Sequence, residues 1–441
     1  MDYQQVMDYL ASLARFGVKP GLERTEALLE ALGRPERRML HVHIAGTNGK
    51  GSTAIMIERV LREAGYRTGL YTSPHLQRYT ERIKVCGCEI SQSRFAELIS
   101  GLDRWVRKAA ADPDVGAPTE FEVATAACFQ HFADEGVEIA VVEVGLGGRY
   151  DSTNLIVPEV SVIAHIAMDH MDRLGHTLAE IAHDKAGIIK PGVPVVTAPQ
   201  EPEAMEVLKA VAKKQGAPLV AVGHDVPFEC TGVSLDGTSV RVDLSRLRRG
   251  RVLHLTCGLV GEHQAVNCAT AIAALDMLER RFPISEDQII QGLNAARHPG
   301  RFEVVQRKPY VVVLDGAHNP DGARALAATL NAAMADARPR VMVLGCSKDK
   351  QLGEIADALA PAADAVVAAS AAHTRSGAAD AHEIAAMMRA RGVQAEAVAG
   401  GDAEAALQRA EQIAHAIGAR SLVVAGSLYL VGELRGRLVA D

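Results

Sequence analysis

The stretch Gly46-Thr47-Asn48-Gly49-Lys50-Gly51-Ser52 follows the apolar run Met39 to Ala45 and precedes the amphipathic run Ser52 to Ala64, which Gly65 closes. A strand, a glycine loop and a helix in such quick succession commit this part of the chain to an α/β layer. Glycines let the backbone approach a polyphosphate closely. The loop N–H groups and the helix N-terminus then face the anion, and Lys50 adds a positive charge on a solvated loop. The pattern departs from the standard G-x-x-x-x-G-K-[ST] loop, because Ile44 stands six residues before Lys50 and Gly51 delays the hydroxyl to Ser52. The competing reading is a plain glycine turn. The strand before and the helix after favour nucleotide binding.

The same alternation continues. Val137 to Val144, Val160 to Ala167 and Val193 to Ala198 read as buried strands with helical stretches between them. From about Val226 to Leu255 the pattern changes to short alternating strands with turns such as Asp236-Gly237, which predicts an antiparallel patch at the edge of a first domain. A helix from about Gln264 to Arg280 follows, then His298-Pro299-Gly300-Arg301, a linker pattern. Beyond it Tyr310 to Leu314, Arg340 to Leu344, Ala365 to Ala369 and Ser421 to Ala425 restart the alternation, enough for a second domain with its own core. The chain has 441 residues, 48% apolar and 23% charged, and a formal net charge of −7, which fits a soluble two- or three-domain protein and gives no nucleic-acid footprint. The N-terminus lacks the features of a signal peptide, no apolar run is long enough to span a membrane, and the seven scattered cysteines suit a reducing cytoplasm.

Several polar residues stand at strand ends, where α/β proteins build their sites. Glu143 closes a buried strand, as a magnesium ligand beside a phosphate loop must; a surface-capping Glu is the alternative. Ser73, in Thr72-Ser73-Pro74-His75, offers a hydroxyl, although Ser-Pro is also a turn signal. His170 follows the third strand and could be structural. Lys185, before Ala186-Gly187-Ile188, could be an exposed helix-end lysine; it can ligate a metal only after carbamylation by CO₂. Asp315-Gly316-Ala317-His318-Asn319-Pro320 ends a strand of the second domain and also fits a turn plus a helix start. Arg301, beside the linker, reads as a γ-phosphate contact or as a solvated Arg, and Asn267 as a reader of a base edge.

Taken together and in order, these pieces resemble the folylpolyglutamate synthase/dihydrofolate synthase family of the Mur ligase superfamily over nearly the whole chain. The landmarks are Lys19-Pro20-Gly21-Leu22-Glu23-Arg24, the Gly46–Ser52 loop, Ser73-Pro74-His75-Leu76, Thr119-Glu120-Phe121-Glu122, Glu143 to Arg149 with Asp151-Ser152-Thr153-Asn154, Asp169-His170, Lys185-Ala186-Gly187-Ile188, Gly261 with His263-Gln264 and Asn267, Gly300-Arg301-Phe302-Glu303, Asp315 to Asn319, and Gly426-Ser427-Leu428-Tyr429. The resemblance implies an N-terminal P-loop mononucleotide-binding ATPase domain over residues 1–298 and a smaller Rossmann-like glutamate-ligase domain over 299–441. It implies ATP on Gly46, Thr47, Asn48, Gly49, Lys50, Gly51 and Ser52, with Asn267, Arg301 and Asp315 completing the contacts. It places one Mg²⁺ on Ser73 and Glu143 and a second on Glu143, His170 and carbamylated Lys185. His318 and Ser427 lie near the incoming glutamate. Two positions depart from the family pattern: His183-Asp184, where a Glu is expected before Lys185, and Cys346-Ser347 within Gly345 to Lys350.

The implied activity is ATP-dependent ligation of L-glutamate to dihydropteroate, to the glutamate tail of reduced folates, or to both, by a cytoplasmic monomer. Other Mur-type ligases acting on nucleotide-sugar peptides carry a further N-terminal domain, for which a phosphate loop starting at Gly46 leaves no room. A nucleotide-binding switch would have no need of the Asp315–His318 cluster.

Overall fold

The computed structural model describes residues 1–14, 21–247, 250–370 and 377–439; Lys19 and Pro20 of the first landmark lie outside them. Two compact units emerge from the contacts. One comprises Met1–Phe228, Val242–Leu253 and Val266–Ala295, the other Glu229–Arg241, His254–Ala265 and Ala296–Asp441.

The first unit is built on eight strands: β1 (Leu40–Ala45), β2 (Thr68–Tyr71), β3 (Ile83–Val85), β4 (Cys88–Glu89), β5 (Ile139–Glu143), β6 (Val160–Ile163), β7 (Val195–Thr197) and β8 (Leu219–Ala221). Their order is β4-β3-β2-β5-β1-β6-β7-β8, parallel from β2 to β8, with β3 and β4 antiparallel at one edge. Both faces of such a sheet are covered, so its strands are apolar along their length rather than alternating. On one face the helices Gln92–Ala111 and Glu120–Asp134 bury Phe95, Phe129 and Phe132. Farther along the same face, Leu178–Lys185 and Pro202–Lys214 bury Ile181, Ala204 and Leu208 against Ala45, Ile163 and Val195. On the other face, Glu58 of the helix Lys50–Glu63 accepts from Thr68 Oγ1 of β2 at 2.7 Å. Neighbours β1 and β5 send the chain in opposite directions, β1 to β2 and β5 to β6, so a crevice opens at their carboxyl ends.

Next come β9 (Phe228–Ser234), β10 (Gly237–Asp243) and β11 (Val252–Cys257), a separate sheet in the order β11-β10-β9. The second unit's main sheet contains β12 (Glu303–Gln306), β13 (Val311–Leu314), β14 (Arg340–Leu344), β15 (Ala365–Ala368), β16 (Gln394–Ala397) and β17 (Ser421–Ala425) in the order β12-β13-β17-β14-β15-β16. Only β12 is antiparallel, which gives the expected Rossmann-like layer.

Arg340, at the first position of β14, is fully buried. Its Nη1 donates to the Ala362 carbonyl at 2.9 Å, Nη2 to Met334 at 2.8 Å and Leu330 at 3.3 Å, and Nε to Ser421 Oγ at 3.2 Å. It thereby closes the carboxyl end of the helix Pro320–Ala333. Burial lowers its pKa to about 10, so the charge persists at neutral pH. Arg340→Leu strands these acceptors and is expected to cost about 3–5 kcal/mol of stability, by analogy with breaking a buried charge network. Urea unfolding checks this; a variant as stable as wild type would show that the carbonyls find other donors.

Candidate active site

The phosphate loop runs from Gly46 to Gly49, and the helix Lys50–Glu63 starts directly at the lysine. Its shape depends on glycine at two points. Gly49 has φ +87°, and a Cβ there would lie 2.3 Å from Asn267 Oδ1. Gly46 has φ +151°, and a Cβ there would meet the Ala164 Cβ at 2.8 Å. Asn267 thus packs directly on the loop. The loop is also pinned from β6, because the Thr47 and Asn48 N–H groups donate to the His165 carbonyl at 2.8 and 3.1 Å. Thr47 Oγ1 donates to the Ala167 carbonyl at 3.0 Å. The donors aimed outward are therefore those at the start of the helix, where the dipole favours an anion. Ser52 is buried in that first turn.

Lys50 is less solvated than its sequence context predicts, with a side chain only 17% exposed. Its Nζ donates to the Thr47 carbonyl at 3.2 Å and lies 4.0 Å from Glu143 Oε1. The reason is tertiary: Glu143 ends the strand next to β1, and Ile44 pairs with it in register. Glu143 is buried rather than a surface cap, and its Oε2 accepts the Ser73 N–H at 3.1 Å. The structure thus joins Lys50, Ser73 and Glu143. It also brings in Lys185, which is buried at the end of its helix and is not an exposed lysine. Lys185 Nζ donates to the Gly46 carbonyl at 2.8 Å. Burial, with help from the nearby Lys50 charge, lowers its pKa to about 7.

The atypical His183-Asp184 is accommodated by the loop after Glu143. The Arg149 N–H donates to the Asp184 carbonyl at 2.9 Å, and Arg149 Nη2 lies 2.6 Å from His183 Nε2. A Cβ at Gly148 would lie 2.8 Å from the Lys185 carbonyl, so this glycine lets the two segments pack backbone to backbone.

His170 caps the short helix Met171–Leu174 with φ +50° and is exposed, while its N–H donates to Asp169 Oδ1 at 2.9 Å. Among the described residues no group of three His, Cys, Asp or Glu side chains gathers as a cation cage. The oxygens of Glu143 and Ser73 are the hard donors that Mg²⁺ prefers. A second cation on Glu143 and His170 would need one more anionic donor.

In the second unit the candidate residues cluster at the carboxyl ends of β13 and β17, which are parallel neighbours pairing Leu314 with Val424. Asp315 is buried, and burial raises its pKa. Its oxygens accept the Phe302 N–H at 2.7 Å and the Ala317 N–H at 2.8 Å. It therefore shapes its own loop and fixes the residue after Arg301. Arg301 Nη1 donates to the Gly316 carbonyl at 3.2 Å. His318 Nδ1 lies 2.8 Å from the same carbonyl, which can only accept, so Nδ1 carries the proton. Ser427 is buried and caps the helix Leu428–Leu438, accepting the Tyr429 N–H at 3.2 Å. Cys346, the other atypical position, is a buried core residue whose pKa is raised by burial to about 12, which makes it inert.

Sequence reasoning gave no role to several supports of the site. Thr119 and Glu122 form a capping box, and Glu122 also pairs with buried Arg24 at 2.9 Å. Gln200 holds β6 beside the phosphate loop, donating to the Ala164 carbonyl and accepting the Ile166 N–H, both at 2.9 Å. Nothing local in the sequence marks this role of Gln200, since Ala164 and Ile166 lie more than thirty residues away.

The comparisons agree with this architecture. Residues 44–275 match the Mur ligase middle domain and residues 300–428 the Mur ligase glutamate ligase domain. The dihydrofolate synthase/folylpolyglutamate synthase of Bacillus subtilis is 40% identical over 352 residues, covering 79% of this chain and 80% of that protein. The Escherichia coli protein of the same name is 33% identical over 346 residues, 78% of this chain and 76% of that one. The folylpolyglutamate synthase of Mycobacterium tuberculosis, crystallised with ADP and AMPPCP, superposes with a TM-score of 0.91 at 33% identity, covering 100% of this chain and 98% of that one. With both domain models matched in order and such relatives aligned over most of its length, the chain belongs to the folylpolyglutamate synthase/dihydrofolate synthase family of the Mur ligase superfamily.

Proposed function

We propose that the protein is an ATP-dependent ligase that joins L-glutamate to dihydropteroate and to the glutamate tail of reduced folates. The observation that carries this reading is the convergence of Lys50, Ser73, Glu143 and Lys185 on one phosphate loop, in a chain of this family. Two relatives that carry both enzyme names support the double acceptor range. A cytoplasmic setting is consistent with seven cysteines all in the free form.

The chemistry follows from a poor electrophile. A carboxylate cannot expel oxide, so the acceptor first takes the γ-phosphoryl group of ATP and becomes an acyl phosphate, releasing ADP. The glutamate amine then attacks the carbonyl carbon, and phosphate leaves. Lys50 and Arg301 are the groups that stabilise charge on the transferring phosphoryl group. Asn267 and Asp315 serve the nucleotide side. His318, whose ring is oriented by its Nδ1–H to the Gly316 carbonyl, and Ser427, which follows β17, the strand paired with β13, serve the incoming glutamate. Ser73 and Glu143 would hold one Mg²⁺, and Glu143, His170 and a carbamylated Lys185 a second. Magnesium would supply charge neutralisation on the phosphates.

ADP release measured with and without acceptor and glutamate tests the reading. Turnover that requires all three substrates supports it; hydrolysis indifferent to acceptor and glutamate identifies a nucleotide switch instead. Arg301→Ala is expected to lower kcat by about 10²–10³-fold, the loss typical of one preorganised donor. A raised KM with unchanged kcat would move Arg301 to uniform substrate binding.

A further inference from the structure

Asp151, Ser152, Thr153 and Asn154 follow the loop that leaves Glu143, and each side chain grips a different element. Ser152 Oγ lies 2.9 Å from Thr125 Oγ1, which lies 3.2 Å from Tyr71 OH on β2. Asn154 Nδ2 donates to the Arg149 carbonyl at 2.9 Å and the Gly187 carbonyl at 3.1 Å, tying the loop to the residues after Lys185. Asp151 is buried among backbone donors; Oδ2 accepts the Leu146 N–H at 2.9 Å and Oδ1 the Thr153 N–H at 3.0 Å. Thr153 Oγ1 donates its single proton to Asp151 Oδ1 at 2.5 Å. It also lies 2.8 Å from Nε2 of His43, a fully buried residue of β1.

Proton bookkeeping fixes the direction of this chain. The Thr153 hydroxyl has one proton and gives it to a carboxylate that can only accept. His43 Nε2 must therefore be the donor. His43 Nδ1 is buried without a partner, which suits a neutral ring carrying its one proton on Nε2. The series His43 to Thr153 to Asp151 to the Leu146 N–H thus runs from the strand that launches the phosphate loop to the loop that leaves Glu143. That loop in turn packs on Lys185: a Cβ at Gly148 would strike the Lys185 carbonyl, and the Arg149 N–H holds the Asp184 carbonyl.

We propose that His43 is a positioning residue, whose Nε2–H, relayed through Thr153 and Asp151, fixes the Gly145–Arg149 loop and so the spacing of Glu143 and Lys185 on the phosphate loop. A buried relay of this kind polarises each member. Loss of its first donor leaves the buried Thr153 oxygen without its partner and loosens the hydroxyl that holds Asp151, in a site where errors of about 1 Å cost roughly 10²-fold in rate.

This inference rests on the ligase reading, and its test separates the two. Wild-type protein that releases no ADP with acceptor and glutamate would sink the ligase reading, whatever His43 does. Given wild-type turnover, His43→Leu should lower kcat by about 10²-fold while changing the KM for ATP less than about threefold. His43→Gln, which returns an N–H near the Nε2 position, should recover most of kcat. His41→Leu removes a buried ring from the same strand, packed on Phe129 and outside the relay, and should leave kcat near wild type. Should His43→Leu fail to fold, Thr153→Val interrupts the relay at nearly constant volume and should show the same kcat loss. Nitrogen NMR of the His43 ring reports the tautomer independently of activity, with a proton on Nε2 expected. A proton on Nδ1, an unchanged kcat in His43→Leu or Thr153→Val, or an equal loss in His41→Leu would overturn the proposal.

Discussion

Lys50→Ala is expected to abolish ligation, lowering the rate by roughly 10³–10⁵-fold, the range seen when a cation is withheld from a transferring phosphoryl group. Lys50 opens the helix that follows the loop, and its Nζ rests on the Thr47 carbonyl within 4.0 Å of Glu143. In that place it offsets the Glu143 charge and, as proposed, serves the transferring phosphoryl group. Because its stem is mostly covered, the alanine variant also loses packing and leaves Glu143 less compensated, so a modest fall in Tm should accompany the kinetic loss. Circular dichroism should still report a folded protein, since no core residue is removed. Purified variant with near-wild-type ADP release would show that the loop is a structural turn.

Lys185→Ala is expected to lose activity on the order of 10³-fold or more if, as proposed, Lys185 acts as a carbamate that brings a negative charge to a dication. A lysine ammonium beside a metal cation would be repelled. The ammonium first gives up one proton; the neutral amine then attacks CO₂, forming an N–C bond as one C=O π bond opens to C–O⁻, and releases a second proton, so the side-chain charge changes from +1 to −1 overall. Burial against Gly46 and the nearby Lys50 lower the Lys185 pKa to about 7, so the neutral amine is plentiful above that pH and scarce below it. Activity should therefore drain from enzyme held in CO₂-depleted buffer below pH about 7 and return with bicarbonate at higher pH. Loss in the alanine variant alone would equally fit a phosphate-binding lysine. Rescue decides between them: short carboxylic acids should restore part of the rate by standing in for the carbamate. No rescue, together with a high-resolution map of fully active enzyme showing a bare lysine, would end the carbamate reading.

The two kinds of information meet at particular residues. The strand–loop–helix at Gly46 to Ser52 is written locally, because glycine tolerance of positive φ and the apolar runs on either side are properties of neighbouring residues. The buried strands were legible for the same reason: a sheet covered on both faces needs continuous apolar runs. Edge elements were harder to read. The two-residue strand β4 and the half-exposed β16 carry no such run, and tertiary pairing alone makes them strands.

The site divides in the same way. The sequence by itself determined which groups are available to the site: Ser73, Glu143, Asp315 and His318 after strands, and Lys50 and Lys185 at helix ends. Only the tertiary structure decided what surrounds them. Parallel pairing of β1 with β5 carries Glu143 to Lys50 across almost a hundred residues of chain, leaving Glu143 buried and the lysine that reads as solvated half-buried beside it. Burial of its Nζ against the Gly46 carbonyl, beside the Lys50 charge, lowers the pKa of a helix-end lysine, Lys185, to about 7. His43, an ordinary position in a strand, gains its role from a threonine far along the chain. Burial and hydrogen-bond partners are set by contacts distant in sequence, and desolvation, the largest influence on these buried side chains, exists only once the fold has excluded water.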